Sequence, residues 1–219
     1  MSSLEDRALA VLCAGWRLLP SIKHEAPIAG IRLADLGAQH GNFNIDSNII
    51  TLGIRLFRGD RPEQLPLYDI DGNEPPQKEP YVSRALATWC HEAAHAIGYA
   101  TGLDSSKEWL TLNGFVEASD DPEGTGRYWE RRNGWENGPS AWRYPLGQWW
   151  PRDYSTSSPQ ECFADCVAHV ALGWFSDVVH PSGIDKMNYI LRHVWCETGI
   201  RAMAASAQRW QKRVSIHAQ

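Results

Sequence analysis

Residues 89–102, WCHEAAHAIGYATG, place His91 and His95 four apart, with Glu92 directly after the first. On an α-helix, residues four apart sit one turn above each other on one face, so both imidazoles can address one ion. Zinc takes such nitrogen ligands at about 2.0–2.1 Å. Glu92 is offset around the helix. From there it reaches a water held by the metal without ligating the metal itself, which is where a general base belongs. Both intervening positions are alanine and the flanking residues are largely apolar. Two imidazoles and a carboxylate buried there without partners would be costly, and a bound zinc ion removes that cost. A surface helix with two unrelated histidines is the plainer reading, but it leaves the apolar setting unaccounted for.

A catalytic zinc needs a third protein ligand. The continuation H-E-x-x-H-x-x-G-x-x-H finds its glycine in Gly98 but has Thr101 at the last position, so that route fails. The zinc proteases called gluzincins take a glutamate from a later helix instead. The segment SPQECFADCVAH, residues 158–169, offers Glu161. Asp165 follows four residues on, on the same helical face. It can accept the ring N–H of a metal-bound histidine and fix its tautomer. Taken alone, the two acids would be ordinary carboxylates in the first turns of a helix, which the helix dipole favours. His169, His180 and Asp153 compete as third ligands, though His169 lies two turns from Glu161.

The pattern H-E-x-x-H followed by Y-x6-E-x-F-A-D resembles the gluzincins with an anthrax-lethal-factor-like catalytic domain. HEAAH (91–95) and YSTSSPQECFADC (154–166) carry the resemblance, which covers about 40 residues in two helices and the segment leading into the second. It implies an α+β, zincin-like fold with a small twisted sheet beside the metal helix and a mainly helical C-terminal part. It also implies that the edge strand of that sheet can pair with an extended peptide substrate. The implied activity is zinc-dependent endopeptidase hydrolysis. His91, His95 and Glu161 would hold Zn2+, Glu92 would act as general base, and Asp165 would support a histidine. Tyr154 stands where the family has a tyrosine facing the metal, and would stabilise the oxyanion. Packing with a bond to a backbone carbonyl is the plainer role for Tyr154, and Tyr144 or His180 could replace it at the oxyanion.

These residues need elements to position them. Apolar residues at helical spacing over 4–19 predict an amphipathic helix ended by Pro20. GNFNIDSNIITLGIRLF (41–57) predicts two short strands around Asp46-Ser47-Asn48. The proline-rich, charged stretch 58–80 reads as a loop. Ser83 reads as an N-cap, with a helix over 84–100 and Gly102 as its stop. Residues 103–153 form a Gly- and Trp-rich insertion with no clear assignment. Ser157 or Ser158, with Pro159, opens a helix through PQECFADCVAHVALGWF. HPSG (180–183) breaks the chain, and one or two further helices occupy 184–214.

The 219 residues suit a single catalytic domain carrying that insertion. A net charge of −5 and the lack of any basic run exclude an obvious nucleic-acid partner, and no apolar stretch is long enough for a membrane span. Nothing forces a dimer, so a monomer is expected. Five cysteines without ligand-like spacing predict buried free thiols in a reduced, cytoplasmic protein, or one exported without a cleavable signal. Eleven tryptophans are the compositional outlier. Trp129, Trp135, Trp142, Trp149 and Trp150 lie between the two motif segments. They predict an aromatic wall or lid that binds a peptide or protein substrate, a patch for a partner protein, or else rings that pack a long loop down. Two other functions fit the same residues: a zinc hydrolase of peptidoglycan peptides, and a non-catalytic binding module that keeps a zinc site. The presence of both Glu92 and Tyr154 favours an enzyme.

Overall fold

The computed structural model describes residues 3–20, 23, 26–58, 64–65, 82–117, 128–132, 139–145, 147–174 and 178–195. At 64–65, 82–83, 117, 128–132, 139–141, 143 and 153 it describes the backbone only. The chain combines helices with small sheets.

Helix α1 (Leu4–Leu18) begins with a reciprocal cap. The Ser3 hydroxyl accepts the Asp6 N–H at 3.0 Å and the Asp6 carboxylate accepts the Ser3 N–H at 3.1 Å. Leu19 is extended before Pro20, as a residue preceding proline must be, so the helix stops there. A three-stranded sheet follows, built from β1 (Gly30–Ala34), β2 (Gly41–Asn44) and β3 (Ile49–Gly53) in the order β1-β3-β2. β3 pairs in parallel with β1 and antiparallel with β2. The two expected strands are β2 and β3. Their turn uses Asn48 at φ 55°, a left-handed conformation that asparagine tolerates. β1 is an addition to the expected pattern. Its short GIRLA sequence carries little strand signal, and its partner β3 supplies the pairing, with Arg32 Nε donating to Thr51 Oγ1 at 2.8 Å.

β4 (Gln64–Leu65) pairs with β5 (Val82–Ser83), so part of the stretch read as loop is strand and Ser83 ends a strand. The rest of 58–80 beyond Arg58 lies outside the described residues. Helix α2 (Arg84–Thr101) then runs to Gly102, which stops it at φ 67° with its N–H on Gly98 O at 2.8 Å. The unassigned insertion contains α3 (Lys107–Asn113), capped by Ser106 and stopped by Gly114. It also contains an antiparallel sheet of β6 (Val116–Glu117), β7 (Tyr128–Arg132) and β8 (Pro139–Pro145), ordered β6-β8-β7.

Helix α4 (Pro159–Ala171) starts on Ser158, whose hydroxyl accepts the Glu161 N–H at 3.1 Å. It ends four residues short of the expected stretch, with Gly173 at φ 79° just beyond it. His180 begins an element as well as breaking one: its ring Nδ1 accepts the Ser182 N–H and caps α5 (Pro181–Ile190). A π-helical turn, Leu191–Trp195, follows, and residues past 195 lie outside the description.

The core lies where α2 and α4 pack together, flanked by α1, β3 and α5. Trp89, Ile97, Trp109, Phe163, Val167 and Ile190 are fully buried in it. α1 crosses α2 at Gly15, where a Cβ would fall 1.9 Å from Trp89 Cδ1, so the contact requires glycine. Cys90, Cys162 and Cys166 are buried free thiols, as expected, whereas Cys13 is exposed. No described helix is long and apolar enough to cross a membrane.

Candidate metal centre

α2 and α4 are the two elements that build the site. His91 and His95 project from one face of α2 toward Glu161, which sits in the first turn of α4. Their Nε2 atoms lie 3.1 Å apart, and 3.1 and 3.4 Å respectively from Glu161 Oε2. Three ligands of a tetrahedral ion, each about 2.0–2.1 Å from it, are separated by about 3.3–3.4 Å. The three atoms therefore have the spacing of one face of such a tetrahedron. Glu161 Oε2 is also buried without a hydrogen-bond partner, although it faces two imidazoles. A buried, unsatisfied carboxylate oxygen is costly, and a cation between the three atoms would satisfy it. Among the described residues, His91, His95 and Glu161 are the group whose His, Cys, Asp or Glu ligand atoms all lie within 4.8 Å of one another. The donor set of two imidazoles and one carboxylate suits zinc.

The local folding explains why the third partner comes from α4. α2 does not turn away at Gly98. It continues to Thr101, whose hydroxyl bonds back to Ile97 O at 2.8 Å and so points along its own helix.

Asp165 is 5% exposed and holds the far side of His91, with Oδ1 2.8 Å from His91 Nδ1. An ionised carboxylate only accepts, so His91 Nδ1 carries the hydrogen and Nε2 faces the centre. Arg152 Nε donates to both Asp165 oxygens at 2.8 Å, and the Ser155 hydroxyl donates to Oδ2 at 2.7 Å. Burial alone would raise the Asp165 carboxyl. Arg152 and His91 outweigh it and hold the group well below the usual carboxylate range. Glu161 is likewise held low: its burial is outweighed by the two imidazoles. Burial would also lower His91, but Asp165, Glu161 and Glu92 prevail and raise it to about 10.

Glu92 is buried against β2. A Cβ on Gly41 would lie 2.7 Å from Glu92 Oε1, so the strand reaches the carboxylate only because residue 41 is glycine. Burial, reinforced by the negative charge of Glu161, raises the Glu92 pKa against the opposing pull of His91, His95 and Arg152. Tyr154 lies in a 3₁₀ turn, Asp153–Thr156, immediately before α4. Its hydroxyl donates to Glu161 Oε1 at 3.2 Å, and its ring lies 6.4 Å from that of His91. Burial beside Glu161 raises the phenol pKa, so the group stays a donor.

The rival ligands sit elsewhere. His169 is wedged edge-on between Trp149 and Trp174, with ring centroids at 5.4 and 5.3 Å. His180 caps α5, and the Asp153 side chain lies outside the described residues. Tyr144 packs on Trp150 at 5.6 Å. Of the tryptophan cluster, Trp149 is in the core, and Trp142 and Trp150 pack against Phe115 at 6.2 and 5.3 Å. All three make packing contacts, and Trp142 and Trp150 remain half-buried. The side chains of Trp129 and Trp135 lie outside the described residues. Arg152 and Ser155 were not foreseen as part of the site. No spacing rule marks a single arginine or serine in a polar segment, and only their nearness to Tyr154 hinted at them.

No protein-family model, no curated protein and no solved structure matches this chain.

Proposed function

We propose that this chain is a zinc-dependent metalloendopeptidase of the gluzincin type, on a zincin-like fold. The observation that carries this reading is the triangle of His91 Nε2, His95 Nε2 and Glu161 Oε2, with edges of 3.1, 3.1 and 3.4 Å. Zinc held there would lower the pKa of water and polarise a scissile carbonyl. The chain's own residues supply the rest. Glu92, raised by burial, takes the proton of the attacking water and passes it to the leaving amine. The Tyr154 hydroxyl turns from Glu161 Oε1 to donate to the developing oxyanion. Among the described residues β2 pairs on one side only, with β3, and it packs against α2. An extended peptide adding to its open edge would pass beside Glu92.

The test is digestion of a mixed peptide library by zinc-loaded protein, with products identified by mass spectrometry. Internal cleavage by the wild type and none by Glu92→Gln supports the reading. Absence of cleavage by fully loaded wild type, or equal cleavage by Glu92→Gln, contradicts it.

A further inference from the structure

We infer that Arg152 is a positioning residue for the metal centre: its planar guanidinium fixes Asp165, and through Asp165 the tautomer and ring orientation of His91. This rests on the metal-site reading above.

The geometry is that of a fork. Arg152 Nε lies 2.8 Å from both carboxylate oxygens of Asp165, and Nη2 lies 2.5 Å from Oδ1. Such multidentate charge-assisted contacts set orientation as well as energy, and a lysine ammonium cannot reproduce them. Nη2 is also 3.2 Å from His91 Nδ1, so the guanidinium and the imidazole N–H converge on the same oxygen. Ser155 adds a further donor on Oδ2, and the planar guanidinium and the imidazole fix the direction of the contacts on Oδ1. With Nδ1 on Asp165 Oδ1, the His91 ring presents Nε2 to His95 and Glu161.

Charge points the same way. Glu92, Glu161 and Asp165 bring three carboxylates to one site, and Arg152 acts electrostatically on each of them. Three carboxylates, one guanidinium and one divalent cation sum to zero. An exposed salt bridge would contribute little, but here the carboxylate is 5% exposed, and losing its partner leaves a buried charge uncompensated. The Arg152 guanidinium also lies 5.1 Å from the Tyr154 ring centroid and braces a second residue of the site. The Arg152 side chain is 51% exposed, so a small solute can enter the space it would vacate.

That exposure makes the inference testable by chemical rescue. Zinc affinity is measured by competition with a chromophoric chelator for wild type, Arg152→Ala and Arg152→Lys. Affinity should fall about 10- to 100-fold in Arg152→Ala, the range for loss of an outer partner. Guanidinium at non-denaturing concentration should restore most of it, while ammonium at equal ionic strength should not. Arg152→Lys, which keeps the charge without the fork, should remain weak. Wild-type affinity in either variant overturns the inference. Equal rescue by ammonium, or no rescue of a folded Arg152→Ala, also overturns it. If Arg152→Ala does not fold, Arg152→Lys alone decides. A wild type that takes up no zinc removes the underlying metal reading, whereas a zinc-binding wild type with unaffected variants removes this inference alone.

Discussion

His91 and His169 are both helical and both feel the charge of Asp165, yet their pKa values are pushed in opposite directions. His91 faces Asp165 on one side and Glu161 on the other, and its pKa rises to about 10. His169 sits between two indole rings, where burial lowers it to about 4 against the weaker pull of Asp165. The neighbours, more than the residue type, decide whether an imidazole can serve a metal. Carboxylates supply both the tautomer and, on the proposed reading, a fellow ligand. Aromatic edges supply neither, and hold the ring as a neutral packing group.

The largest contrast should appear in zinc binding. His91→Ala should weaken zinc by more than about 100-fold, beyond the loss of an outer partner, and His169→Ala should leave it unchanged, both by equilibrium competition. Equal effects would erase the distinction drawn here. Next comes catalysis. Tyr154→Phe should lower kcat about 10²- to 10³-fold, as loss of an oxyanion donor does, without changing zinc content. The same assay on His169→Phe should show wild-type kcat.

Asp165→Asn should lower zinc affinity about 10- to 100-fold, because it removes the acceptor that holds His91 Nδ1–H. Proton linkage is a finer probe. Because Asp165, Glu161 and Glu92 raise the His91 pKa to about 10, a proton should compete with zinc there, and zinc affinity should rise about tenfold per pH unit from pH 7 to 9. A flat profile over that range would show that His91 is already neutral before zinc arrives.

The smallest effects are on the stability of the metal-free protein, where the two histidines should have opposite signs. The folded pKa of His91 is above its unfolded value of 6.5, so its contribution is full below pH 6.5 and is lost as pH rises through about 10. The folded pKa of His169 is below that value. The unfolded state therefore binds its proton first, and stability falls as pH drops from 6.5 to about 4. Denaturant titrations of His169→Phe should show a shallower acid limb than wild type. An unchanged limb would mean that the two tryptophans do not exclude charge.

The sequence made the motif helices legible because both end on strong local signals: Gly102 stops α2 and Ser158-Pro159 starts α4. Periodicity then placed His91, His95, Glu161 and Asp165 on usable faces. β1, α3 and the β6-β8-β7 sheet were not legible. β1 is a strand by virtue of pairing with β3, and the insertion's strands carry few alternating apolar positions. The same limit hid Arg152, whose role depends on a carboxylate 13 residues away. It also left His169 open as a ligand, since the tryptophans that enclose it come from segments on either side of α4.

On the proposed reading, His91, His95 and Glu161 hold one zinc ion while Glu92 stays free of it. Metal content measured by mass spectrometry on purified wild type, Glu161→Ala and Glu92→Ala tests this most directly. One zinc per chain is expected in wild type and Glu92→Ala, and a sharp loss in Glu161→Ala. Full zinc retention in Glu161→Ala, or none in reconstituted wild type, would contradict it.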